Sequence, residues 1–200
     1  MDTLLSMGIG LGLSAACGFR VFVPLLVASI AAQAGYLSLA PGFDWVGTQP
    51  ALYAFATATL LEILAYYIPW LDNVLDAIAT PAAVMAGMLA GAAVFTDLPP
   101  LLKWSLAIIA GGAAAGMVQG ATSLLRLQST ALSGGLANPA LSTLELAGSF
   151  VMSVVALMVP VVALLLVVAL CVGAFRLAGR VLFGRHRTRR PSRSDTSSPA

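Results

Sequence analysis

Apolar residues run through this chain in long stretches, and polar residues gather in the short gaps between them. The first stretch runs from about Thr3 to Ala34, longer than the roughly 20 residues a helix needs to cross a bilayer. Near its middle lies Gly18-Phe19-Arg20-Val21-Phe22-Val23-Pro24. Proline removes a backbone donor and crowds the preceding turn, so one kinked helix or two half-helices are expected. Residues 35–50 read as a loop punctuated by Gly35, Pro41, Gly42, Gly47 and Pro50, with Phe43 and Trp45 suited to an interface. A second helix is predicted from about Ala51 to Ile68, followed by an aromatic belt of Tyr66, Tyr67 and Trp70, with Pro69 as the interruption. A third runs from about Asn73 to Phe95 with Pro81 inside it, and a fourth from about Lys103 to Leu127. Residues 128–138 form a polar Ser/Thr/Gly loop, and Asn138 as N-cap before Pro139 starts the final stretch. That stretch continues to about Phe183, too long for one perpendicular span, and Pro160 offers a division.

The pattern predicts an all-α, polytopic transmembrane helix bundle of about five spans, with four to six as the range. Residues 1–183 form the transmembrane domain and residues 184–200 a disordered basic tail. Composition strengthens this: 60% of residues are hydrophobic, 9% are charged, and the mean hydropathy is +0.96. Seven of the ten basic residues are Arg176, Arg180, Arg185, Arg187, Arg189, Arg190 and Arg193. Residues 1–175 carry three basic and seven acidic groups, a net of −4. A basic segment directly after an apolar helix marks the cytoplasmic side and meets anionic lipid, which points away from nucleic acid. The expected location is the bacterial inner membrane, with the C-terminus cytoplasmic. Five spans would put the N-terminus outside; six would reverse it.

The two cysteines, Cys17 and Cys171, lie in apolar segments, so no disulfide scaffold or metal spacing is indicated. The one histidine, His186, lies in the tail, which removes most hydrolytic triads and histidine-based metal sites. No nucleophile sits beside a plausible base, and the 128–138 loop has no phosphate-cradling lysine. Neither an enzyme nor a cofactor or metal is expected. Met1-Asp2 opens the chain without a basic run, so the first stretch is expected to be retained rather than cleaved.

Four charges stand out inside the apolar stretches: Arg20, Glu62, Arg126 and Glu145. A charge at the centre of a membrane helix costs about 2.5–3.5 kcal/mol on insertion scales, so such groups pair, face the bundle interior or line a wet cavity. Arg20 carries five donors and stays charged, and Glu62 is its natural partner. That pair either locks two helices together or forms a polar site for an ion or small solute. Glu145 either completes a capping box with Ser142 or serves as a second membrane carboxylate. Asp72 and Asp76 share a helix face beside Asn73, and read as helix-start capping or as the mouth of a cation path. Arg126, Gln119 and Ser123 continue a face begun by Gly112 and Gly116, which reads as a packed interface or a conduction path.

Small residues recur at four-residue spacing in Gly8-Gly12-Ala16, Ala83-Gly87-Gly91 and Gly112-Gly116-Gly120. Such faces let helices approach closely, within one bundle or between two copies in a homo-oligomer. A weak echo also appears. Gly10 precedes Arg20 as Gly116 precedes Arg126, and Thr59 precedes Glu62 as Ser142 precedes Glu145. Transporters built from repeats show such echoes.

The strings Gly18-Phe19-Arg20-Val21-Phe22-Val23-Pro24, Glu62-Ile63-Leu64-Ala65-Tyr66-Tyr67-Ile68-Pro69-Trp70-Leu71-Asp72-Asn73-Val74-Leu75-Asp76 and Gly134-Gly135-Leu136-Ala137-Asn138-Pro139 resemble a bacterial membrane family catalogued as domain of unknown function 4126. The similarity covers roughly residues 5–175. It implies a small polytopic membrane protein and brings no substrate or catalytic residues with it. Two functional readings therefore stand. One is a small transporter or channel-like protein using Arg20, Glu62, Arg126 and Glu145. The other is a structural or accessory membrane protein whose buried charges only specify packing.

Overall fold

The computed structural model describes residues 3–134 and 136–183, without the side chains at 69–73, 76–77 and 181–183. The basic tail and the side chains of Asp72, Asn73 and Asp76 thus lie outside the described residues. Seven helices follow one another: α1 (Thr3–Cys17), α2 (Phe22–Gln33), α3 (Gln49–Tyr66), α4 (Pro69–Val94), α5 (Pro100–Ser133), α6 (Asn138–Met158) and α7 (Pro160–Phe183). No strand occurs among the described residues. A 3-10 turn, Asp44–Gly47, precedes α3, and α5 contains a π-helical segment, Ala107–Gly111.

The punctuation works much as the sequence suggests. Thr48 caps α3, its hydroxyl accepting from the Ala51 N–H, and Pro50 sits in the first turn. Pro69 begins α4, and Gly134 ends α5 in the left-handed conformation (φ 64°) that glycine adopts without strain. Asn138 differs from expectation. It is the first residue of α6 rather than its cap, and its side-chain amide donates to Thr130 Oγ1 across the turn. Pro160 divides the last stretch fully: Ala156 of α6 and Ala163 of α7 both face Gly12, so the two helices fold back on each other.

Of the two expectations for the first stretch, two half-helices is the one observed: α1 and α2 form a helical hairpin. Phe95, just past α4, packs on Gly10 of α1, while the Ala40 N–H beyond α2 donates to the Ala93 carbonyl at 2.7 Å. Gly10 of α1 and the exit of α2 therefore lie beside the same end of α4. The chain reverses at residues 18–21, and Pro24 falls in the first turn of α2, where a missing N–H loses no helix bond. A Cβ on Gly18 would come within 2.5 Å of the Ala115 carbonyl and 2.6 Å of Val118 Cβ, so the turn presses on the middle of α5.

α1 is the hub of the bundle, and ten of its fifteen residues are buried. A helix apolar all round belongs in a core or in lipid; here it is core. Its small residues are spent inside the chain: Cβ atoms on Gly8 and Gly12 would reach within 2.7 Å of the Pro160 carbonyl and 2.6 Å of Ala156 Cβ. Gly87 abuts Ala115, and Gly91 abuts Ser14. Gly112 and Gly116 meet Met88 and Val84 of α4, whereas Gly120 faces open space. Ser14 stitches the crossing, its hydroxyl lying 2.8 Å from the Gly10 carbonyl and 2.7 Å from that of Gly87. α5, α6 and α7 are long and apolar enough to cross a membrane, while α1 and α2 are shorter apolar helices. Only 17% of the most apolar window of α7 is buried, although that helix is the most apolar of the three.

Candidate functional site

A chain reversal inside an apolar bundle exposes backbone groups that only protein can satisfy. At this turn, the N–H groups of Gly18, Phe19 and Arg20 donate to the carbonyls of Ala15 and Ala16. Those of Val21 and Phe22 have no backbone acceptor; they donate to Glu62 Oε1 at 2.9 Å and Oε2 at 3.2 Å. Glu62, from α3, thus caps the start of α2, where a negative charge is favourable. The Ser149 hydroxyl donates to the Ala16 carbonyl at 3.0 Å and secures the other side of the turn.

Arg20 is 2% exposed. Its Nη2 donates to the Ser142 carbonyl at 2.9 Å and lies 3.8 Å from Glu145 Oε2. Arg126, on α5, holds the same carboxylate more closely. Its Nε donates to Glu145 Oε1 at 2.9 Å, and its Nη2 donates to Glu145 Oε2 and to Ser142 Oγ. Both guanidiniums lie over the Tyr66 ring, with Cζ 3.9 Å (Arg20) and 4.4 Å (Arg126) from its centroid. Such stacking suits the planar, weakly hydrated guanidinium.

Several expectations change here. Arg20 takes Glu145 as its ion-pair partner, not Glu62, because the hairpin turn needs the Glu62 carboxylate for its own N–H groups. Glu145 forms no capping box with Ser142; both sit inside α6 and both serve Arg126. Tyr66 is no belt residue but is buried, its ring against both guanidiniums. Of the interface pair, Trp45 is half exposed while Phe43 is buried. The echo between the halves is one of letters only. Arg20 lies in a turn and Arg126 in a helix, and the Thr59 hydroxyl is buried without a partner while Ser142 is engaged. Gln119 donates to Ser123, and the Gly112–Gly116 face packs on α4.

Two participants escaped sequence reasoning, Tyr66 and Ser149. Ser149 was findable: Ser142, Glu145, Ser149 and Ser153 lie on one face of α6 by their spacing, and all four are buried. Tyr66 was not, since aromatic residues before a proline read equally well as an interface. Among the described residues, no three His, Cys, Asp or Glu side chains gather to hold a metal ion, and both cysteines are free.

The model of one protein family, described as "Domain of unknown function (DUF4126)", matches residues 7–180. The chain belongs to the DUF4126 family. No curated protein and no solved structure matches it. Arg20, Glu62, Arg126 and Glu145 of this DUF4126 chain, together with Tyr66 and Ser149, lie inside the matched region. So does a cleft of about 470 Å³ between the start of α2, α3 and α4, whose walls include Val21, Phe22, Leu61, Glu62, Tyr66 and Ile78.

Proposed function

We propose that this DUF4126 member is a multi-pass protein of the bacterial inner membrane that passes an ion or small polar solute through the charge centre beneath the α1–α2 turn. In this reading α1 and α2 form a re-entrant hairpin, and α3 to α7 make five crossings. The C-terminus is cytoplasmic, as the arginines after α7 favour, and the N-terminus lies outside. Anionic lipid meets the tail. The protein is not an enzyme.

One observation carries the proposal. Arg20 Nε and Nη1 are buried and have no hydrogen-bond partner among the described residues. A guanidinium whose role is only to lock helices would have its donors met, because an unmet buried donor costs about 1–3 kcal/mol and more when charged. Half-helix ends meeting inside a bundle are also the usual setting for solute sites in transporters. The rival reading, a closed accessory protein, draws on a different observation: every backbone N–H of the turn has an acceptor.

The two readings differ in water access, and Cys17 reports it. This thiol is buried within one helical turn of Arg20. In a Cys171→Ser background, a membrane-impermeant thiol reagent should label Cys17 in intact cells or inverted vesicles, and a bulky residue at Ser14 should abolish labelling. Labelling that appears only after denaturation would overturn the transport reading and favour the accessory one.

A further inference from the structure

We propose that the cleft beside Glu62 binds an amphiphilic organic ammonium compound, its cationic head on the Glu62 carboxylate and its apolar part along α3 and α4. The inference concerns binding and does not rest on transport. The cleft, at about 470 Å³, falls within the range of small-molecule sites. Glu62 is the one charged residue among its described lining residues; the rest are aliphatic or aromatic. Its two oxygens each accept one backbone N–H, and an ionised carboxylate has about four acceptor positions, so half its capacity remains. It also has no ion-pair partner among the described residues. Arg20 and Arg126 both turn to Glu145 instead, and neither is among the described residues that line the cleft.

The walls select the class of cation. Leu61 and Ile78, at the rim, are 61% and 57% exposed, so the opening is apolar. Among the described residues a metal ion would have to shed its water for one carboxylate between hydrocarbon walls, far short of the oxygen ligands it needs. An ammonium on an apolar body loses little by entering, and a primary ammonium can donate to the free lone pairs of Glu62. An anionic amphiphile would meet the Glu62 charge at the end of the cleft.

The test is titration calorimetry on the full chain in lipid nanodiscs, with empty discs subtracted, using octylammonium, octanol and octanoate. Octylammonium should bind tightest. Glu62→Gln should weaken it by about tenfold or more, the scale of a lost charge-assisted hydrogen bond, and leave octanol unchanged. Ala65→Phe, which fills the cleft without touching a charge, should abolish binding of all three. Equal binding of the three would show apolar filling alone and overturn the proposal. A preference for octanoate would overturn it by assigning the cleft to an anion. Should Glu62→Gln fail to fold, the order of the three compounds on the native chain, with Ala65→Phe as the location control, still decides it.

Discussion

Glu62 and Glu145 look alike in the chain and differ completely in the fold. Each lies in an apolar helix three residues after a hydroxyl residue, Thr59 or Ser142. Glu145 is the shared anion of two buried arginines, one held bidentate and one at 3.8 Å. Glu62 touches no guanidinium; it closes the start of α2 through two backbone N–H groups and turns its remaining capacity to an apolar cleft. The difference comes from the chain reversal at residues 18–21. A turn buried in an apolar bundle creates backbone donors with no water to meet them, and the nearest carboxylate goes to them before any arginine. The partners of Glu62 are thus set by where the backbone breaks, whereas Glu145 pairs with Arg126, the nearest opposite charge in sequence.

The comparison can be broken by experiment. The largest effect belongs to Glu145→Gln, which leaves two buried guanidiniums without their carboxylate. About 3–5 kcal/mol should be lost, read as a large fall in the thermal unfolding midpoint in detergent. Adding Arg126→Met should restore part of that loss, because removing the stranded charge lifts its desolvation cost. Glu62→Gln should cost less, about 1–2 kcal/mol, since the amide oxygen still accepts one N–H while the second bond and the helix-dipole interaction are lost. If the two glutamate variants lose equal stability, the division of roles drawn here is wrong. Ser142→Ala should cost about 1 kcal/mol, as Arg126 Nη2 loses one acceptor. Thr59→Ala should change unfolding by less than about 0.5 kcal/mol, because its hydroxyl has no partner to lose. A Thr59 effect as large as that of Ser142 would revive the symmetry between the halves.

Much of the architecture was legible beforehand. Pro69 and Pro160 mark real divisions, Gly134 marks a real end, and the small-residue faces mark real helix contacts. All four membrane charges were legible as candidates because charge is conspicuous against apolar sequence, and three of them, Arg20, Arg126 and Glu145, meet in one place. The pairing was not legible. Arg20 and Ser142 lie 122 residues apart, and Ala16 and Ser149 lie 133 apart; no local pattern encodes contacts across such distances. The first break was legible only to within the string Gly18–Pro24. Pro24 is the conspicuous breaker, yet the chain turns before it, at Gly18, where only a residue without a side chain fits against α5.

The sequence alone determined the class of this protein. Sixty per cent hydrophobic residues in long, nearly uncharged stretches without strand alternation satisfy their backbone in hydrocarbon as helices, and three helices long and apolar enough to cross a membrane agree with that reading. The tertiary structure alone decided that α1 and α2 form a hairpin rather than a span, and which charge meets which. An apolar helix carries no signal of which way its neighbour runs, since every face is equally content with lipid or with protein. That direction is settled by close packing at α1's glycines and by the acceptors available to the turn, and both exist only once the helices are assembled.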